Sequence, residues 1–266
     1  MPLRDGRRSL NSIDPAAVEQ IEVVRGGTAV YGFGASGGVV NIITKRPGDG
    51  DREINLDIGA KTSLTETGSD AFGWNTGITA SGRKGQVDYL FNGSVLSTGA
   101  SFDSDGDRRP ADPTGAQGGV DDSDATNFLG KFGLESDDGS QRFEATVNFY
   151  DVAQDSDFAE LATGGDPALD IKAIAQPGNI NVKDPGTENR TLNLNYNNKA
   201  VFGSTALDAQ LYTGELTTTF SKFPGFSQTE IASDKGGLRV TFDTPAGGAN
   251  SPVSVIWGID LSLIHI

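Results

Sequence analysis

The chain has 266 residues, 36 of them glycine, no cysteine, and a formal net charge of -15. Without cysteine there are no disulfides, thiolate metal sites or cysteine nucleophiles, and the acidic balance argues against nucleic acid, whose phosphates need clustered Lys and Arg. No run of about 18 apolar residues is present, so no transmembrane helix is expected; a barrel strand needs only about ten residues, apolar at every second position.

In chain order, MPLRDGRRSLN carries basic residues but no apolar leader segment. The expectation is that the protein stays inside, or that this is not its true N-terminus. DPAAVEQ (14–20) offers Asp14 as an N-cap and Pro15 at the first helical position. IEVV (21–24) reads as a strand. Then comes GFGASGG (32–38), in which Gly32, Gly34 and Gly37 fit G-x-G-x-x-G, with Glu53 and Asp57 downstream. A dinucleotide loop must open a helix, whose N-terminus receives the pyrophosphate. Here VVNIIT (39–44) follows, rich in β-branched residues. The glycines therefore read as a tight turn between two strands. A nicotinamide-dependent enzyme would need a helix after Gly37.

Nine later segments alternate apolar and polar residues: 53–61, 71–80, 86–95, 127–135, 141–150, 191–198, 205–216, 238–243 and 253–261. Period two with one apolar face means strands. In QRFEATVNFY (141–150), Phe143, Ala145, Val147 and Phe149 oppose Arg142, Glu144, Thr146 and Asn148. Connection lengths alternate too. The stretches 82–85, 136–140, 198–203 and 244–252 are short, whereas 62–69, 98–124, 152–188 and 217–234 are longer. Sorting of loops to one end is the pattern of an outer-membrane barrel. The polar faces carry charge (Arg142, Glu144, Asp208, Arg239), which a dry sandwich core would not hold unpaired. Loops 98–124, 152–188 and 217–234 carry net charges of -5, -5 and -1, so -11 of the -15 lies on the assigned outer end. Trp74, Tyr89, Tyr150 and Trp257, near strand ends, fit interfacial girdles.

DSDGD (103–107) hints at a calcium loop, but the EF-hand positions for Gly and the twelfth-position carboxylate hold Arg108 and Thr114. The single histidine, His265, has no visible partner, so no catalytic triad can be assembled. No catalytic residue, metal site or cofactor is assigned, and the ligand-binding residues cannot be named.

The stretch IEVVRGGTAVYGFGASGGVVNIITKRP (21–47) resembles the end of the plug domain of TonB-dependent outer-membrane receptors. The matching features are I-E-V-V-R-G (21–26), A-V-Y-G (29–32), G-A-S-G-G (34–38) and V-N-I-I-T-K (40–45), and DPAAVEQ resembles the short helix leading into this strand. The variant looks most like the ferric-siderophore branch. The resemblance implies the C-terminal part of a mixed α/β plug over 1–50, and over 51–266 the N-terminal part of an all-β transmembrane barrel with about nine antiparallel strands. The family's closed barrel has about twenty-two strands. The expectation is an internal fragment, lacking a signal peptide, a coupling box and further strands, and ending in mid-strand at LSLIHI.

The resemblance also implies the plug-motif residues Glu22, Arg25, Gly26, Tyr31, Gly32, Gly34, Gly37, Gly38 and Asn41. Arg25 takes the place of a plug arginine that ties plug to barrel wall, with Asp57 or Glu144 as partner. The implied protein sits in the bacterial outer membrane, contacts its lipid and is driven by the TonB–ExbB–ExbD complex. It imports a ligand, a ferric siderophore first, with cobalamin, haem or a glycan as alternatives, and has no nucleic-acid partner. A secreted β-rich adhesin is the rival from another class.

Overall fold

A computed structural model describes residues 17–26, 37–47, 50–110, 121–155, 157–159, 172, 175–178, 181–222, 227–247 and 251–265. Two strands come first, β1 (Val18–Arg25) and β2 (Gly38–Thr44), paired antiparallel. The β-branched run after the glycines thus forms a strand, and the dinucleotide reading fails because no helix opens there. The expected lead-in helix over 14–20 is corrected in its last three residues, while Ala17 has 3-10 conformation. Val18–Gln20 already belong to β1, paired with Ile43 and Thr44, while residues 14–16 lie outside the described residues. Gly38 has φ +133, and a Cβ there would stand 2.6 Å from the Val24 carbonyl oxygen, so only glycine fits this start of β2.

The other long strands are β3 (Glu53–Lys61), β4 (Gly73–Lys84), β5 (Val87–Thr98), β6 (Ser123–Glu135) and β7 (Gln141–Gln154). They continue, beyond a two-residue ribbon of β8 (Phe158–Ala159) and β9 (Gln176–Pro177), with β10 (Gly186–Phe202), β11 (Thr205–Thr219), β12 (Glu230–Pro245) and β13 (Ser254–His265). All nine form one sheet in the order β13-β12-β11-β10-β7-β6-β5-β4-β3, every pair antiparallel. This is the expected meander. Short turns join β4–β5, β6–β7, β10–β11 and β12–β13 at one end, and the longer connections lie at the other.

Register keeps each face uniform across the sheet. The partners Thr79, Asn92, Leu129, Asn148 and Thr191 lie in one row on the inner face. There Asn92 Nδ2 donates to Thr79 Oγ1 at 2.9 Å, and Asn127 Nδ2 donates to Asn92 Oδ1 at 3.0 Å. The other face exposes Leu56, Ile78, Phe91, Phe128, Phe149, Leu211, Leu238 and Ile259. Apolar groups point out and amides point in, the inverse of a soluble sheet packed on an oily core. The small apolar core (Ala17, Leu90, Leu129) lies where the N-terminal hairpin meets the inner face.

Rings cross neighbouring strands on the outer face. Tyr89, Phe91, Phe128 and Phe149 follow one another with centroids 5.9, 6.5 and 6.3 Å apart. Phe202, Phe242 and Trp257 form a second row near the short turns, at 6.4 and 4.3 Å. Trp74, Tyr89 and Trp257 have the outward parity that a girdle needs. Tyr150 does not: it pairs with Asn127 and Asn189 on the inner face, one residue out of step with Phe149.

The β6–β7 turn is held by Asp138, whose carboxylate accepts from Ser136 Oγ at 2.6 Å, Ser140 N at 3.0 Å and Ser140 Oγ at 2.7 Å. These bonds, Ser136 foremost, favour the charged form and lower its pKa to about 2. A carboxyl whose folded pKa is depressed supports the turn above its unfolded value near 4, and that support disappears as pH falls towards 2. NMR titration of the Asp138 carboxyl carbon should give a midpoint near 2, returning towards 4 when Ser136 and Ser140 are both alanine. A wild-type midpoint near 4 would contradict this.

Candidate functional site

The N-terminal hairpin is organised around Glu22. Its carboxylate accepts from Asn41 Nδ2 across the hairpin at 3.2 Å and from Gln20 Nε2 at 2.7 Å. The structure therefore brings together Glu22 and Asn41, which lie opposite each other in register. Gly26, in the left-handed region at φ +92, lets the chain leave β1. Gly37 is an exposed bend before Gly38, and Tyr31, Gly32 and Gly34 lie outside the described residues. Arg25 ends β1 opposite Gly38 and is exposed. Among the described residues it meets neither Asp57 nor Glu144; Glu144 is engaged by Arg142 at 3.1 Å instead.

The contact between hairpin and wall comes from a residue that sequence reasoning missed. Lys131, on β6, is 7% exposed, and its Nζ donates to the Thr44 carbonyl oxygen at 3.0 Å. Alternation in NFLGKFGLE already placed Lys131 on the polar face. Nothing local pointed to its partner, a backbone carbonyl 87 residues away.

Around Lys131 the wall carries paired charges. Arg142 forks onto Asp88 at 2.6 and 3.0 Å and reaches Glu144, and Arg83 pairs with Glu135. Arg83, Lys131 and Arg142 face Asp88, Glu135 and Glu144, and Arg46 and Lys235 add two further cations to the same lining, so positive charge is in excess there. Asp88 is almost fully buried, and removing its arginine would strand a charge, which typically costs about 3–5 kcal/mol. These groups and Asn41–Thr44 line a cavity of about 610 Å³ between β2 and the wall, closed further along by Asn148, Asn193 and Gln210. The lining is mostly polar or charged, from both the hairpin and the sheet. Nothing in it resembles a nucleophile with its base: His265 stands at the far end of edge strand β13, opposite Asp234.

At the outer end, the DSDGD segment forms a cage. Lys172 Nζ lies 2.6, 3.1 and 2.6 Å from carboxylate oxygens of Asp103, Asp105 and Asp107. The ammonium, foremost among the causes, lowers the Asp103 pKa, and the same contacts raise that of Lys172. The segment's carboxylates converge as in a cation loop, but the cation they hold is a lysine from the β7–β10 connection.

Residues 1–39 match the TonB-dependent Receptor Plug Domain family. The chain is 28% identical over 271 residues to the ferric aerobactin receptor of Klebsiella pneumoniae, covering 97% of this chain and 35% of that protein. It is 29% identical over 231 residues to the rhizobactin receptor of Rhizobium meliloti, covering 84% and 30%. The fold is shared with the FrpB iron transporter of Neisseria meningitidis, with a TM-score of 0.64 and 20% identity over 95% of this chain and 37% of that one. The chain thus spans about a third of the length of the relatives it matches.

A charged donor on a buried acceptor contributes about 1.5–3 kcal/mol. In the full-length protein, Lys131→Met should therefore lower hydrogen-exchange protection of the β2 amides about ten- to hundredfold, since about 1.4 kcal/mol is a factor of ten. Wild-type protection in that variant would remove Lys131 from the interface.

Proposed function

We propose that this chain, which belongs to the TonB-dependent outer-membrane receptors, forms part of the plug and wall of a transporter that imports a ferric siderophore. Residues 1–50 are the end of the plug and residues 51–266 are wall strands. Glu22, Arg25, Gly26, Tyr31, Gly32, Gly34, Gly37, Gly38 and Asn41 shape the plug and its contact with the wall. The observation that carries the reading is the sheet itself, apolar outward and polar inward, with the hairpin held on its inner face by Lys131.

The function needs no covalent step. The ligand binds on the outside, and the TonB–ExbB–ExbD complex pulls on the plug from the inside. The work done is the breaking of contacts such as Lys131–Thr44, which are few and polar and can reform. A greasy plug–wall interface would resist such separation, whereas one of hydrogen bonds and cavities exchanges its partners for water at modest net cost. The siderophore assignment rests on the names of the relatives, and outer-membrane lipid is the partner of the aromatic face.

The test is uptake of radiolabelled iron as siderophore complexes into iron-starved cells that carry the full-length protein as their only such receptor. Uptake should require the protein and stop when the proton gradient or TonB is removed. Uptake of labelled cobalamin or haem in place of ferric siderophores would correct the substrate. Iron entry indifferent to TonB would contradict the transporter reading.

A further inference from the structure

Three of the long connections at the outer end meet on one side chain. Arg108, in the β5–β6 connection, is 12% exposed. Its Nη1 donates to Asp70 Oδ2, in the β3–β4 connection, at 3.2 Å. Its Nη2 donates to Asp122, beside the start of β6. Its guanidinium carbon stands 3.7 Å from the ring centroid of Phe158, in the β7–β10 connection. The backbone joins the same pieces. Ala175 N donates to the Arg108 carbonyl at 3.0 Å, Ala100 N to Asp70 O at 2.7 Å, Asp155 N to Asp122 O at 2.7 Å, and Thr65 Oγ1 to Asp103 O at 2.8 Å. The packing is close: a Cβ on Gly99 would fall 2.6 Å from the Asp70 carbonyl oxygen.

We propose that Arg108 is a clasp that makes the described parts of these connections, 62–72, 99–110, 157–159 and 175–178, a single cooperative unit that opens and closes together. A planar guanidinium can satisfy two carboxylates along its edge while an aromatic ring covers its face; an ammonium offers neither the fork nor the flat face. Without the guanidinium, Asp70, Asp122 and nearby Asp155 are left in mutual repulsion, so the three segments separate rather than relax one at a time. Lys172 in its carboxylate cage reinforces the link between the β5–β6 and β7–β10 connections. This device is independent of which solute the protein carries.

Hydrogen exchange by mass spectrometry on the full-length protein in detergent micelles tests it without any ligand. In the wild type, segments 62–72, 99–110 and 175–178 should show one common opening rate. Arg108→Ala should lower protection in all three by about tenfold or more while β6 and β7 hold theirs, and Arg108→Lys should do nearly the same. Phe158→Leu and Asp70→Asn, each altering one connection, should loosen the other two as well, which serves if the Arg108 variants fail to fold. Different opening rates in the wild type, or loosening confined to the mutated connection, would overturn the proposal.

Discussion

The structure depends on the parity of its antiparallel ladder. In hydrocarbon, every backbone polar group must be bonded within the protein, and every side chain facing lipid must be apolar. The strands between the edges β3 and β13 meet both demands only if each lies in register with its neighbours, since a slip of one residue exchanges the two faces. The register runs unbroken from Asp88 through Gly133 to Glu144, and on to Asn195, Gln210 and Arg239. Exchanging the faces would turn Asp88, Lys131, Arg142 and Arg239 towards lipid, and a basic side chain at mid-membrane costs about 2–4 kcal/mol. Contacts on the inner face pin the register. The Asn127–Asn92–Thr79 chain spans three strands, the Arg142–Asp88 fork bridges β7 and β5, and the Arg239–Asp260 pair at 3.0 Å ties β12 to β13.

The plug contact follows from the same constraint. Because polar side chains must point inward, whatever occupies the interior meets amides, hydroxyls and ions rather than a hydrophobic surface. Among the described residues, the buried apolar contact there is a small one, Ala17 with Leu90 and Leu129, and Ile42 is buried nearby. Among the described residues, the directed Lys131–Thr44 bond contributes to retention beside that apolar contact. Such an interface is specific in position and modest in strength, as the proposed displacement of the hairpin would require.

Much of this was legible in the sequence. The alternation in QRFEATVNFY and TLNLNYNN assigned the faces of β7 and β10 correctly, and the sorting of short and long connections agrees with the sheet. β-branched residues after GFGASGG ruled out the nucleotide loop. Period-two patterns report which face a residue occupies but not what it meets there. The family resemblance pointed to Arg25 with Asp57 or Glu144, whereas the described contact runs from Lys131 to a main-chain carbonyl that carries no side-chain signal. Arg108 was noticed only as a residue that spoils a calcium loop; its partners Asp70 and Phe158 are brought to it by the fold. Tyr150 was misassigned because an aromatic near a strand end was counted without its parity, and residues 18–20 were drawn into the lead-in helix because capping residues were weighed above the pull of pairing with β2.

The central claim is that one face of this sheet meets lipid and the other a wet interior. The most direct measurement is a single-cysteine scan along β7, from residue 142 to residue 149, in the full-length protein in its membrane. These 266 residues contain no cysteine, and any cysteine elsewhere in the full-length protein is first replaced by serine. Water-soluble thiol reagents should modify positions 142, 144, 146 and 148 and spare 143, 145, 147 and 149, which only a lipid-soluble reagent should reach. Modification without alternation, or with the two sets reversed, would contradict the account.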